Sequence, residues 1–165
     1  MAANVLDRFE FRSVKANEAE EVAEIEKICF PPHEVCSKKD MFERVEHAPE
    51  LFLVAVDKET GTIAGFLNGL ATDEEAFRDE FFTDITVHNP EGKNIFILGL
   101  DVRPEYRRQG LAREIMNQYI KREQVNGRKM LKLTCLEQKV EMYKKMGYKT
   151  KVSLLLYGAM KNGMR

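Results

Sequence analysis

Cysteine is scarce in this chain, three in 165 residues, and the placement of the three excludes two ways of holding a fold together. Cys29, Cys36 and Cys135 do not make a disulfide framework. No C-x-x-C pair exists and the three histidines are scattered, so the spacing of a zinc site is missing and no metal is expected. Cys29 and Cys36 are near enough in sequence to form a redox pair, but they read better as two idle thiols. Long apolar runs are also missing: none approaches the roughly 18 residues of a membrane helix. Met1-Ala2-Ala3-Asn4 lacks the charged-then-apolar pattern of a signal segment. The expectation is a cytoplasmic protein with no membrane partner. Repeats, low-complexity stretches and internal linkers are absent, so residues 1–165 are expected to form a single domain. A dominant charge is missing too, and a net −1 argues against nucleic acid as the main partner.

What the chain does have is the balance of a soluble globular protein, 44% hydrophobic and 32% charged residues. Its charges are unevenly placed. Residues 1–82 carry 9 Lys/Arg against 19 Asp/Glu, and residues 83–165 carry 17 against 8. A basic half suits an anionic ligand and an acidic half a cationic one, because such fields concentrate oppositely charged partners.

Patterning gives the order of elements. Phe9 to Val14 alternates with period two and predicts a strand. Asn17 is placed to cap a helix with Ala19, Val22, Ile25, Ile28 and Cys29 as its apolar stripe, and Pro31-Pro32 stops it. The segment 30–37 (FPPHEVCS) reads as a loop, after which Ser37 caps a helix over 38–46 with Met41, Phe42 and Val45 inward. Leu51–Val56 and Thr62–Leu70 predict a hairpin turned at Gly61. Thr72 starts a short acidic helix reaching Phe81, and residues 88–93 (HNPEGK) form a turn-rich loop. Ile95–Val102 is a near-continuous apolar strand, buried on both faces and therefore central. Gly99 within it marks a bulge or a close approach of another backbone or ligand. The following helix buries Leu111, Ile115 and Tyr119 beside Ala112, Met116 and Ile120, and Gly127 closes it. Met130–Cys135 is a strand, Glu137–Met146 a short helix capped by Gly147, and residues from Tyr148 one or two last strands. The order predicts an α/β layered domain with a mixed sheet.

The chain is organised around residues 94–120. An apolar strand there delivers the turn Arg107-Arg108-Gln109-Gly110-Leu111-Ala112 directly into a helix N-terminus, which aims free backbone N–H groups at one point where an anion can rest. The nucleotide-binding patterns G-x-x-x-x-G-K-[ST] and G-x-G-x-x-G are absent. In their place, Gly110 and Ala112 keep side chains clear of the backbone while Arg107 and Arg108 add charge at the rim. The first hypothesis is the pyrophosphate of a nucleotide-containing cofactor.

These residues resemble the acetyl-CoA-binding motif of the GNAT superfamily of N-acetyltransferases: Gln or Arg, two residues, Gly, one residue, then Gly or Ala, after an apolar strand. Met142-Tyr143-Lys144-Lys145-Met146-Gly147-Tyr148 resembles the second signature of that superfamily, and the element order is similar over essentially the whole chain. Within the superfamily the sequence is most similar to the arylalkylamine (serotonin) N-acetyltransferases. The likeness rests on His47-Ala48-Pro49-Glu50-Leu51, on Cys36, and on Thr134-Cys135 with Tyr143 eight residues on. The resemblance implies a GNAT-type fold, a mixed, mostly antiparallel central sheet flanked by helices. It also implies acetyl-CoA as cosubstrate. Leu100, Asp101 and Val102 would present backbone groups to the pantetheine arm. Arg107, Arg108, Gln109, Gly110, Leu111, Ala112 and Arg113 would surround the pyrophosphate. Tyr143 would be the general acid that protonates the departing thiolate.

The implied reaction is direct attack of a neutral amine on the thioester. A primary alkylamine with a pKa near 10 is almost wholly protonated at pH 7, and neutralising it costs about 4 kcal/mol. The arylalkylamine group places two histidines on the strand before the phosphate turn, where this chain has Phe96 and Leu98. His33, His88, Glu91 or an ordered water are the substitutes the sequence offers as base. The expected acceptor is a small primary amine, and the expected assembly a monomer or homodimer. Two alternatives stand beside this reading: a protein lysine or N-terminal acetyltransferase, and a non-catalytic acyl-CoA sensor in which Phe96 and Leu98 mark loss of the base.

Overall fold

The computed structural model describes residues 5–33, 35–75, 80–134, 144–145, 149–152 and 155–159. In these the helices are α1 (Val5–Arg8), α2 (Ala19–Cys29), α3 (Lys38–His47), α4 (Glu80–Thr83) and α5 (Leu111–Val125). The strands are β1 (Phe9–Ser13), β2 (Phe52–Asp57), β3 (Ile63–Thr72), β4 (Asn94–Val102), β5 (Met130–Thr134), β6 (Lys149–Val152) and β7 (Leu155–Ala159). The described strands form one seven-stranded sheet in the order β1-β2-β3-β4-β5-β7-β6. Its pairings are antiparallel except between β4 and β5, which run parallel. Parallel neighbours require a crossover, and α5 supplies it. This is the mixed, mostly antiparallel α/β sheet with flanking helices that the sequence predicts. Among the described residues no helix is long and apolar enough to cross a membrane.

The two faces of the sheet are covered differently. Leu111, Ile115, Met116, Tyr119 and Ile120 of α5 pack on Leu53, Leu67, Ile95, Ile97 and Leu100. On the opposite face Val22 and Ile25 of α2 and Met41 and Val45 of α3 pack on Phe52, Val54 and Phe66. Burial of this kind contributes about 25 cal/mol per Å² of apolar surface and is what holds the layers together.

The local differences from the pattern reading have physical reasons. Asn17 does not cap α2, because residues 16–18 form a 3-10 turn first. Glu18 closes that turn instead, accepting from the Lys15 N–H at 2.8 Å and held by Arg12 at 2.7 Å. Ile28 and Phe42, expected inward, are exposed, and the charged residues Glu26 and Arg44 are buried in their place. Ser37 does cap α3, its hydroxyl accepting from the Asp40 N–H at 3.1 Å. The acidic helix expected from Thr72 does not begin there: Thr72 ends β3, residues 73–75 are irregular, and helix appears only at α4. The helix expected over 137–146 lies outside the described residues apart from the helical pair 144–145.

One polar cluster ties the hairpin to the connection after β4. Asp57 accepts from Tyr106 Oη at 2.7 Å, from the Glu59 N–H at 2.9 Å and from Arg8 Nη2 at 3.2 Å. These contacts, the Tyr106 hydrogen bond first, hold its carboxyl below the usual carboxylate range. A depressed pKa contributes stability that is present above the unfolded-state value and lost as pH falls through the folded-state value. The urea midpoint is therefore expected to drop from about pH 5 downward. Asp57→Asn should flatten that drop while lowering the midpoint at pH 7, and an unchanged acid slope in the variant would assign the drop to other carboxylates.

Candidate active site

The site is built around the second half of β4. Among the described residues the parallel ladder pairs Asn94 to Ile97 with Met130 to Leu133 and goes no further. Beyond Ile97 no described residue pairs with the edge of β4 that faced β5. On the other edge the ladder to β3 continues to Gly65–Val102, with a register slip between Asn68 and Gly69 that leaves Leu98 as the extra residue. The bulge expected at Gly99 thus lies one residue before it. Leu98 and Gly99 are the two half-exposed positions in an otherwise buried strand, so solvent enters β4 at the bulge.

Backbone polarity follows from the pairing. The Arg103 N–H donates to the Ala64 carbonyl at 2.8 Å, so strand alternation turns Asp101 toward β3 and Leu100 and Val102 toward the open edge. The Val102 carbonyl is already used there, accepting from Arg107 Nε at 2.9 Å and from Cys29 Sγ at 3.3 Å. Leu100 and Val102 send their side chains into the α5 core. Asp101 sends its carboxylate to the other face, where it is 1% exposed.

After β4 the chain makes a 3-10 turn at Pro104–Tyr106 and then two left-handed residues, Arg108 at φ 64° and Gly110 at φ 80°. A left-handed conformation in arginine costs on the order of 1 kcal/mol, and backbone strain of this kind concentrates at ligand sites. Gln109 Nε2 donates to the Tyr106 carbonyl at 2.9 Å and steadies the turn. Gly110 is the N-cap of α5 and offers no side-chain cap. The first intrahelical bond runs from the Glu114 N–H to the Gly110 carbonyl, so the N–H groups of Leu111, Ala112 and Arg113 point out of the helix end. With a 15-residue helix behind them, they carry the positive end of its dipole. Arg107, Arg108, Gln109 and Gly110 are all exposed, and none of the other described residues stands within 4 Å of where a Gly110 side chain would begin. An uncapped helix N-terminus, a concave turn and two guanidinium-bearing residues beside an open strand edge fit a pyrophosphate followed by an extended arm.

Arg113 Nη2 donates to the Lys145 carbonyl at 3.0 Å, which sets the helical pair 144–145 against the first turn of α5. Tyr143 and Cys135 lie outside the described residues. Of the tyrosines whose side chains are described, Tyr106 donates to Asp57 and Tyr119 donates to the Leu51 carbonyl at 3.1 Å inside the core. Burial raises the Tyr119 hydroxyl well above the ordinary tyrosine range.

The residues offered as bases fall in different places. Phe96 is buried with its ring 4.5 Å from that of Phe81, and Leu98 packs partly against the same group. His88 is committed to structure: its Nδ1 accepts from the Ala71 N–H at 3.0 Å and its Nε2 lies 3.0 Å from Glu50. Ala71 pairs with Ile95, at the closed end of β4, so His88 is remote from the bulge. Glu91 belongs to the loop between those elements, and His33 is exposed in the loop after α2.

Sequence reading missed the side chains that do surround the bulge. A Cβ placed on Gly99 would stand 3.3 Å from Asp101 Oδ1, 3.4 Å from Asn68 Nδ2 and 3.7 Å from Glu26 Oε1. Glu26 Oε2 accepts from the Cys36 N–H at 3.0 Å and thereby pins the loop after α2. Arg44, also buried, donates to Asn68 Oδ1 at 3.2 Å and to the Phe82 carbonyl at 2.8 Å. Cys29 and Cys36 flank the group as neutral thiols. Burial, with Asp101 adding to it, raises Cys29, and burial pushes Cys36 up to about 12. The signal for the polar group was present: Glu26 lies in the stripe between Val22 and Cys29, and Asn68 and Asp101 each interrupt an apolar strand.

Comparison with known proteins follows these features. Residues 19–148 match the Acetyltransferase (GNAT) family. Over 121 residues the chain is 28% identical to the Bacillus subtilis (strain 168) protein named probable hydrolase YhcX. That stretch is 67% of this chain and 23% of the relative, so the chain spans about a quarter of that protein's length. Among solved structures, a GphF GNAT-like decarboxylase in complex with isobutyryl-CoA superposes with TM-score 0.74 at 14% identity, covering 92% of this chain and 100% of that one. The GNAT family N-acetyltransferase YhbS from Escherichia coli, in complex with CoA, gives TM-score 0.67 at 15% identity, covering 93% and 82%. At such identities the likeness is one of fold. The family match runs from the start of α2 through the open edge of β4, the phosphate turn and α5 to Tyr148, and the chain belongs to the acetyltransferase (GNAT) family.

Proposed function

We propose that the protein is an acetyl-CoA-dependent N-acetyltransferase that moves the acetyl group to the primary amine of a small molecule by direct attack. The observation that carries this reading is the continuity of two features. The edge of β4 beyond Ile97, unpaired among the described residues, runs into the uncapped, left-handed turn at Arg108 and Gly110. An extended arm ending in a pyrophosphate suits that edge and turn, and its thioester end then falls at the bulge, where solvent reaches Leu98 and Gly99.

In the reaction the amine lone pair forms the N–C bond as the C–S bond breaks, and the electron pair leaves on sulfur. The chain's own share is positional and electrostatic. Holding two reactants at one point removes much of the entropic barrier of a bimolecular step. The helix N-terminus and Arg107 to Arg113 bind the anionic end. Tyr143, at the motif position, donates the proton that the leaving sulfur takes. That assignment gains from the engagement of Tyr106 and Tyr119 elsewhere.

A CoA-thiol release assay across small amines, polyamines and peptides tests the reading. Release with small amines is expected. Tyr143→Phe should lower kcat by about 100-fold or more, the scale of a general acid, with acetyl-CoA affinity nearly unchanged. Wild-type turnover in that variant would reduce Tyr143 to a packing residue. The second reading, an acyl-CoA sensor, draws on Phe96 being locked against Phe81 where the arylalkylamine group has a histidine. A sensor binds acetyl-CoA and releases no thiol with any amine.

A further inference from the structure

Asn68 is 1% exposed and, among the described residues, its side-chain nitrogen has no hydrogen-bond partner. Leaving a buried donor unsatisfied costs about 1–3 kcal/mol, so such a group in a native site asks for a ligand. Its orientation is not arbitrary. Arg44 is a pure donor and bonds Asn68 Oδ1, which turns Nδ2 away from Arg44 and toward Gly99. Arg44 is itself held in place by the Phe82 carbonyl. Glu26 and Asp101 complete the wall, 5% and 1% exposed, with one oxygen of each within 4 Å of the same point above Gly99. Glu26 uses its other oxygen to anchor the loop after α2, so Oε1 is the one presented. The floor is a residue without a side chain, at the one place where β4 meets solvent. Two acceptors and one donor therefore converge on an accessible spot beside the open strand edge.

Resting on the acetyltransferase reading, we propose that the group Glu26, Asn68, Asp101 over Gly99 is the acceptor subsite, selecting a primary amine that enters as the ammonium and carries a hydrogen-bond-accepting atom two or three bonds from its nitrogen. Vicinal amino alcohols are the chemical class. The two carboxylates accept the ammonium N–H groups, and one of them takes a single proton to give the neutral amine and a carboxylic acid. The neutral nitrogen then attacks the thioester, the proton it sheds as the amide forms replaces the one given to the leaving sulfur, and the acid returns its own proton to solvent after product leaves. Asn68 Nδ2 donates to the hydroxyl oxygen of the same molecule. All three protein atoms lie within 4 Å of one point, so only a compact amine spans them. A plain alkylamine of the same length leaves Asn68 unsatisfied, and discrimination follows from that penalty. Arg44 is a positioning residue, acting through the amide it orients.

The test compares thiol release from acetyl-CoA with 2-aminoethanol, with propylamine, which replaces the hydroxyl by methyl, and with hydroxylamine, which is neutral at pH 7.5. Wild type is expected to favour 2-aminoethanol over propylamine by about tenfold or more in kcat/KM, as one satisfied hydrogen bond provides. Asn68→Leu should bring the ratio to about one, with CoA affinity unchanged. Glu26→Gln keeps the bond to the Cys36 N–H and should lower kcat/KM for both ammonium substrates by about tenfold or more, sparing hydroxylamine. Gly99→Ala adds only a methyl and should raise the KM of both amines without altering CoA binding. This variant reports on the subsite even where Asn68→Leu fails to fold. Transfer without preference for the amino alcohol, or a ratio unmoved by Asn68→Leu, overturns the subsite while leaving the enzyme an acetyltransferase. No transfer by wild type to any amine overturns both readings together.

Discussion

Gly110→Glu is expected to abolish CoA binding and leave a folded protein. Gly110 is left-handed at φ 80° and caps a 15-residue helix without a side chain, and no other described residue stands within 4 Å of its missing Cβ. The new side chain therefore meets no steric obstacle among the described residues, and the backbone penalty is about 1 kcal/mol. The carboxylate, however, lies over the N–H groups of Leu111 to Arg113 and repels phosphate from them while accepting their bonds itself. Calorimetric titration with CoA should show affinity weakened by about 100-fold or more, since a like charge introduced at the point of anion contact is worth several kcal/mol. Gly110→Ala carries the backbone strain without the charge and should retain binding within about tenfold. Normal titration of the glutamate variant would move the cofactor away from this turn.

The features that were legible in the chain are those that local chemistry decides. Ser37 caps α3 because its hydroxyl reaches the Asp40 N–H, and Gly61, Gly110 and Gly127 take the positive φ that turns and caps require. The apolar run ending at Val102 fixes a central strand, and its delivery into Gly110 fixes the start of the long helix α5. Tertiary competition decided the rest. Asn17 lost its capping role because Arg12, the fourth residue of β1, locks Glu18 into a 3-10 turn instead. Glu26 and Arg44 were absent from the predicted apolar stripes because helical periodicity does not announce a polar partner from another element. Their reason for burial is Asn68 and Asp101, polar residues on β3 and β4 that meet them only in the folded sheet.

The substitution of Phe96 and Leu98 for the expected histidines also becomes intelligible at this level. Phe96 fills a core against Phe81, where a titratable ring would be buried without water. Proton-accepting groups stand instead at Glu26 and Asp101, on the opposite side of the bulge from that aromatic pair's end of the strand. The bulge makes this exchange workable: one extra residue at Leu98 shifts the register so that Gly99, rather than a side chain, faces Asn68. A mechanism that needs a base beside an open strand edge is satisfied by either arrangement, and only the packing around β4 distinguishes them.

Arg128→Met is expected to destabilise the fold by about 3–5 kcal/mol, the loss that follows from stripping one partner from a buried ion pair. Arg128 Nε donates to Glu123 Oε1 at 3.0 Å, with the two side chains 7% and 1% exposed. Its Nη1 donates to the Pro90 carbonyl at 2.8 Å and to the Gly92 carbonyl. Those carbonyls belong to the loop that enters β4, and the adjacent Lys129 N–H donates to the Lys93 carbonyl at 2.7 Å. Together they set the first rung of the parallel ladder, Asn94 against Met130. Methionine matches the length of the arginine stem but leaves Glu123 charged in the core with two carbonyls unpaired. A fall in melting temperature of roughly 10 °C corresponds to that loss in a chain of this size. Adding Glu123→Leu removes the stranded charge and should restore most of the stability, because a buried pair replaced by apolar residues is often near neutral. The phosphate turn lies at the far end of β4, so CoA affinity in the double variant should equal wild type. A single variant as stable as wild type, or a double variant no better than the single, would show that the loop and ladder hold without this pair.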